Sequence, residues 1–266
     1  MVGRASASRY YMESYAAMNE PVSNISGSAI LANQQPGKVA CQDCSLFQLC
    51  LPVGIDQNDL AEVDRIIQRR RPIRRGDPLF VTGDKFHSIY AVRSGSLKTS
   101  VLIEDGREQV TGFFLQGEIV GLDAIGTGEH TCTARALETT GVCEIPYDEI
   151  ETLGVRIPSL PRQLLRIMSR EMHHDQLLLL LLGKRSADER LAAFLFSLSQ
   201  RFGLRGYSPN EFNLSMSRND IGNYLGLAVE TVSRLFSRLQ EDGILVVRSR
   251  HVQLRDIARL RALAGI

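Results

Sequence analysis

SMSRNDIGNYLGLAVETVSRLFSRLQEDGIL, residues 215–245, reads as two short helices bent around a glycine. Ser217 and Asp220 stand at capping-box spacing, so a helix opens after Ser217 and turns at Gly226. A second helix follows and is closed by Gly243. Within it Val232, Leu235, Phe236 and Leu239 share one face, while Glu230, Ser233, Arg234 and Ser237 share the other at i, i+3, i+4 and i+7. Short helix, glycine turn, second helix is the helix-turn-helix, whose second helix enters the major groove of double-stranded DNA with its first turns against base edges. Glu230, Ser233 and Arg234 lie in those turns. Arg234 has the fork that bonds guanine O6 and N7, Glu230 can accept from a cytosine amino group, and Ser233 tolerates either kind of partner. Each of the three taken alone is more often an ordinary residue of a solvated helix face; the ordered combination points to DNA. Beyond Gly243, ILVVRSRHVQL alternates around Arg248, Ser249 and Arg250, as in a small wing that lays Arg248 and Arg250 beside the phosphate backbone.

Charge follows the same division. The chain of 266 residues carries a net charge of +1, yet residues 184–266 hold 13 Lys and Arg against 8 Asp and Glu, and the residues before them 18 against 22. A basic end suits a polyanionic partner, although an excess of five is modest beside strongly basic nucleic-acid-binding domains.

Upstream, after Pro158, the hydrophobic period is helical. Leu165, Met168, Met172, Asp175, Leu179 and Leu182 fall on alternating steps of three and four, the seam of a coiled coil on a long helix, here bounded as residues 158–186. Such a stripe often faces its own domain, but Asp175 is a poor core residue and a sensible one at a dimer contact meant to be marginal. Across a twofold axis it would face its own copy. Two carboxylates about 4 Å apart repel by roughly 4 kcal/mol at an effective dielectric near 20. Asp175 could also turn to solvent or pair with Arg170, His173 or His174.

From Pro78 to about Pro146 the chain is β-branched and aromatic, and Gly83, Gly95, Gly106, Gly117 and Gly128 punctuate it every 11 or 12 residues. Short antiparallel strands rolled into a β-sandwich are expected, an architecture able to hold a small ligand. Residues 1–40 are rich in Ser, Ala, Asn and Gly without a sustained period and read as a disordered leader. The organisation expected is therefore a leader over 1–40, a short cysteine segment over 41–55, a β-roll over 56–157, the dimerisation helix over 158–186 and a winged helix-turn-helix domain over 187–266, an α+β chain.

The longest apolar run, Leu177 to Leu182, falls far short of the roughly 18 to 20 residues of a membrane span. The N-terminus does not resemble a secretory signal, so a cytoplasmic, reducing location is expected. Five cysteines in that setting argue for metal binding, redox chemistry or plain burial rather than disulfides. CQDCSLFQLC, residues 41–50, places Cys41, Cys44 and Cys50 together. Zinc and iron–sulfur sites normally take four ligands, which leaves one to come from Cys132 or Cys143 far along the chain. A lone distant ligand favours a cluster whose irons accept thiolates from different directions. Zinc, and thiols without a metal, remain open on spacing alone. No glycine-rich phosphate loop and no Ser/His/Asp arrangement suggests an enzyme.

The triplet CQDCSLFQLC, the segment ALETTGVCEIP and the helix VETVSRL together resemble the oxygen-sensing FNR branch (fumarate and nitrate reductase regulators, including Anr proteins) of the family that also contains the cAMP receptor protein. The likeness covers about residues 41–255. It implies a 4Fe-4S cluster on Cys41, Cys44, Cys50 and Cys143, with Cys132 left as a core residue. It implies that Glu230, Ser233 and Arg234 read palindromic TTGAT-like half-sites, that the protein is a homodimer gated by Asp175, and that RNA polymerase is a partner. A contact with the polymerase would fall on the turn from Glu104 to Glu108, where Arg107 departs from an otherwise acidic tip. The nucleotide-binding members grip phosphate with an Arg-Ser pair and ribose with a glutamate. Thr131-Cys132 and Leu122 stand there instead, so cAMP is not the expected ligand.

Overall fold

The computed structural model describes residues 39–265, and all of the expected leader except Val39 and Ala40 lies outside the described residues. The described chain forms two units, residues 39–172 and residues 173–265.

The first unit opens with two single-turn helices, Cys41–Asp43 and Phe47–Leu49, followed by α1 (Gln57–Ile66), whose N-cap Asp56 accepts from the Asn58 N–H at 3.4 Å. Eight strands follow: β1 (Gln68–Arg69), β2 (Pro78–Phe80), β3 (Ser88–Ser94), β4 (Leu97–Leu102), β5 (Glu108–Phe114), β6 (Ile119–Val120), β7 (Thr133–Ala136) and β8 (Gly141–Pro146). They make two four-stranded antiparallel sheets, ordered β1-β8-β3-β6 and β2-β7-β4-β5. The expected sandwich is present. The two-residue β1 precedes Pro78 and is too short to show a period. All five regularly spaced glycines have positive φ, as turns between short strands require.

Strand alternation sorts side chains into two cores. Tyr90 and Val92 of β3 and Val142 of β8 face the interior of the roll, with Phe80, Leu97, Val120 and Ala134. Ile89, Ala91 and Ile145, on the opposite face, join Leu51, Ile55 and Val63, and also Leu160, Leu164 and Ile167 from the start of a long helix. β8 leads into α2 (Tyr147–Gly154), and that long helix is α3 (Ser159–Lys184). The buried positions of α3 at i, i+4 and i+7 bind its N-terminal part to this outer core.

The second unit takes over at His173. It contains α4 (Ala187–Leu204), β9 (Glu211–Asn213), α5 (Arg218–Leu225), α6 (Val229–Glu241), β10 (Leu245–Arg248), β11 (His251–Leu254) and α7 (Ile257–Leu263). Ser186 and Glu189 form a reciprocal capping box at the start of α4, and Ser217 and Asp220 do the same at α5, where the sequence places one. The wing is a three-stranded sheet ordered β10-β11-β9. No described helix is long and apolar enough to cross a membrane.

Candidate thiol centre, dimer seam and nucleic-acid interface

Successive tight turns coil the cysteine segment. The Cys44 N–H donates to the Cys41 carbonyl at 3.2 Å, the Phe47 N–H to the Cys44 carbonyl at 3.0 Å, and the Cys50 N–H to the Phe47 carbonyl at 3.4 Å. The segment is held to the unit at both ends. At its start the Asp64 carboxylate accepts from the Cys41 N–H at 2.9 Å and from Arg69 at 2.6 Å, while Arg69 Nε donates to the Val39 carbonyl at 3.1 Å. At its end Leu51 is fully buried. Between them Leu49 packs on Gly117, where an added Cβ would lie 2.8 Å from the Leu49 Cβ and where φ is +86°.

Cys143 comes to this segment because β8 alternates. Val142 and Glu144 point one way, and Cys143 and Ile145 the other, onto the outer core that Cys41 and Cys50 also touch. Across the β1–β8 pair Cys143 stands opposite Arg69. The thiols are close enough to act on one another. Burial pushes Cys50 up to about 12, with Cys143 and Cys44 adding to the shift. Cys41 is raised by burial, then by its hydrogen bond to Asp64 and by Cys50. Cys143 is raised by burial against the opposing pull of Arg69 and Arg93, with Cys44 contributing. All four cysteines named from the sequence thus lie in one neighbourhood. Among the described residues no three His, Cys, Asp or Glu side chains converge tightly enough to hold a single ion.

Cys132 is elsewhere, buried inside the roll among Phe80, Tyr90 and Ala134. Burial pushes its thiol up to about 12, with Asp123 adding to the shift. Asp123 also accepts from the Thr131 N–H at 2.8 Å and the Thr131 hydroxyl at 3.1 Å, and lies 3.4 Å from His130 Nδ1. His130 stacks on Phe80 with ring centroids 3.6 Å apart. A carboxylate of the chain itself therefore occupies the ground beside Thr131-Cys132. Sequence reasoning passed over Asp123, Asp64 and Arg69. Nothing local marks them, since their roles arise from strand register and loop packing.

On α3 the expected seam presents Leu165, Met172 and Leu179, seven residues apart and 65%, 63% and 70% exposed. Met168 is half-buried against its own unit's core, and Asp175 is exposed. Partial burial raises the Asp175 carboxyl above its ordinary value.

In the helix-turn-helix, Gly226 ends α5 in the left-handed conformation at φ +63°. Val232, Leu235, Phe236 and Leu239 of α6 are buried. Glu230, Ser233, Arg234 and Ser237 are exposed on its other face, and the Ser233 hydroxyl bonds back to the Val229 carbonyl at 2.9 Å. The Arg218 guanidinium lies 3.3 Å from the Phe236 ring centroid, and burial pushes its pKa down to about 10. The wing turns at Ser249, φ +59°, with Arg248 and Arg250 exposed at its tip.

Residues 189–263 match the Crp-like helix-turn-helix domain and residues 70–155 the cyclic nucleotide-binding domain. Over 227 residues, 85% of this chain and 91% of the relative, the sequence is 49% identical to the fumarate and nitrate reduction regulatory protein of Escherichia coli K12. It is 53% identical to the transcriptional activator protein Anr of Pseudomonas protegens over 225 residues, 85% of this chain and 92% of that protein. The chain belongs to the FNR/Anr group of Crp-family transcription regulators. The structure of FixK2 from Bradyrhizobium japonicum, 32% identical, superposes on 74% of this regulator and 97% of that chain with a TM-score of 0.68. Membership makes the protein a DNA-binding regulator of a dimeric family rather than an enzyme. The stretch matching the cyclic nucleotide-binding domain is the one that holds Asp123, Thr131 and Cys132.

Proposed function

We propose that this regulator responds to oxygen, binding palindromic TTGAT-like half-sites as a homodimer while a 4Fe-4S cluster on Cys41, Cys44, Cys50 and Cys143 is intact. One observation carries the reading. Thiols from two segments remote in sequence share a neighbourhood, and the fifth cysteine, only 11 residues from Cys143, is buried in a different core. The donor set fits the group. It is all sulfur and partly withdrawn from water, and burial raises the thiols of Cys41, Cys50 and Cys143. That penalty is relieved when cationic iron accepts thiolates and the protons leave. When bound, the cluster supplies an oxygen-labile link between the cysteine segment and β8.

The chain's own residues would convert that link into pairing. Leu51 and Ile55, next to Cys50, share one core with Leu160, Leu164 and Ile167 of α3, so order in the segment is felt by the helix that carries the seam. Asp175 opposes closure of the seam, which leaves the dimer near balance. A few kcal/mol of differential stability then moves most of the population. In the dimer, Arg234 and Glu230 from each copy would read one half-site, and Arg248 and Arg250 would set the domain against phosphates. Asp123 puts negative charge beside Thr131-Cys132, which suits a roll that does not take an anionic nucleotide. The turn between β4 and β5, where Arg107 pairs with Asp105 at 2.6 Å, is the surface we assign to RNA polymerase.

The test is an anaerobic absorption spectrum with iron and sulfide counts, repeated after exposure to air. Broad visible absorption that bleaches in air is expected of the native protein and of Cys132→Ala, and its absence is expected of Cys143→Ala. Colourless protein with stoichiometric zinc would instead mean a zinc-structured regulator of another stimulus, and exchange of behaviour between the two variants would overturn the ligand set.

A further inference from the structure

One arginine joins the C-terminal end of α3 to the end of the first helix of the helix-turn-helix. Arg190, in the first turn of α4, donates through Nε to the Arg185 carbonyl at 3.0 Å, through one terminal nitrogen to the Leu182 carbonyl at 2.6 Å and through the other to the Leu225 carbonyl at 3.1 Å. Leu182 lies in the last turn of α3 and Leu225 is the last residue of α5. The carbonyls at both helix ends lack partners within their helices and carry the negative end of the helix dipole, so a planar cation with several donors satisfies both at once. Gly226 adjoins the junction, where a Cβ would lie 3.5 Å from Arg190 and 3.9 Å from Leu182.

Two further ties brace the same arrangement. About two turns earlier on α3, His174 Nε2 is 3.2 Å from the hydroxyl of Tyr224, which is itself packed on Phe194 of α4. Arg238 of α6 pairs with Asp188 of α4 at 2.6 Å. The stretch of α3 bound in this way also carries Asp175 and Leu179 of the seam, and Leu179 is exposed away from these contacts. The end of the pairing surface and the groove-reading helix are thus parts of one packed unit.

We propose that Arg190 is a spacing-determining residue: by joining the ends of α3 and α5 it fixes the recognition helix relative to the seam, so that a dimer accepts half-sites at one separation. The inference rests on this being a dimeric DNA-binding regulator and does not need the cluster. Stiffly joined reading heads gain most when the two sites match their span and lose quickly on either side, whereas loosely joined heads tolerate both. Lysine cannot take the arginine's place, because a point charge does not span three carbonyls set in different directions.

The test compares binding of a palindrome that the protein recognises with versions carrying one base pair more or fewer between the half-sites. The full chain is used, at concentrations where sedimentation shows it dimeric. The native protein is expected to prefer its own spacing by about tenfold or more, the scale of a single mismatched pair. Arg190→Gln and Arg190→Lys should narrow that preference to about threefold or less, with dimerisation and affinity for an isolated half-site unchanged. Equal weakening on all three spacings would mean a merely structural arginine and overturn the proposal, as would an unaltered preference. If the Arg190 variants do not fold, Tyr224→Phe, which deletes one hydroxyl, decides: a narrowed preference supports the assignment and an unchanged one overturns it.

Discussion

Gly117 and Arg234 show two kinds of residue dependence in this regulator. At Gly117 the backbone has φ +86° and Leu49 lies against the Cα, so a methyl group there is both strained and too close. Gly117→Ala should cost about 1–3 kcal/mol, the usual penalty of an overpacked contact, read as a lowered denaturation midpoint. Because Leu49 precedes Cys50, the same variant should expose the 41–50 segment to limited proteolysis more than its loss of stability predicts. Arg234 is exposed and takes no part in the core, so Arg234→Ala should leave the midpoint unchanged. Its effect belongs on DNA, about 1–3 kcal/mol at the base pair it reads and relaxed preference there, measured by competition between duplexes differing at that pair. A loss equal for every sequence would move Arg234 to the phosphate backbone.

The elements differ in how plainly the sequence announces them. α5 and α6 are legible because α5 has its own cap, each is followed by a glycine stop, and α6 buries one face only. The α3 stripe is legible for the same reason, although periodicity alone did not show that Met168 turns partly into its own unit. α4 was passed over. Leu191, Ala192, Phe194, Leu195, Phe196, Leu198 and Ser199 are all buried, so apolar residues surround much of the helix and blunt the amphipathic contrast on which such readings depend. On α3, the proposed switch for pairing is Asp175. Its carboxyl is already raised by its surroundings, and apposition to a second copy would raise it further, so a proton is bound more tightly in the dimer than in the monomer. Dimerisation in air should therefore strengthen as pH falls through the raised value and fade as pH rises above it. Asp175→Ala should be dimeric in air and should lose this dependence, leaving only what Arg170, Glu171, His173 and His174 contribute nearby. A monomer by sedimentation in air would show that the apolar row is insufficient even without its acid.

At the scale of the whole molecule, the thiol neighbourhood was legible as a count of cysteines but not as a place. Sequence spacing left Cys132 and Cys143 as rivals. The alternation of β8 is what separates them, sending Cys143 outward, while Cys132 stays inside the roll. Charge partition is a second molecular property, and on the proposed reading it governs how two reading heads hold DNA. The basic end of the chain offers Arg248 and Arg250 at the wing tip, outside the face of α6 that carries Glu230, Ser233 and Arg234. If these arginines meet phosphates, each releases bound counterions, and the logarithm of affinity falls with the logarithm of salt by about 0.9 for every contact. A dimer presents each arginine twice. Arg248→Ala should therefore weaken binding to all duplexes alike and flatten the salt dependence by about 1.8, whereas Arg234→Ala should alter the ranking of sequences. Titrations of both variants over a salt series, on specific and scrambled duplexes, separate the two roles. A changed ranking with an unchanged slope for Arg248→Ala would place the wing tip against bases instead of the backbone.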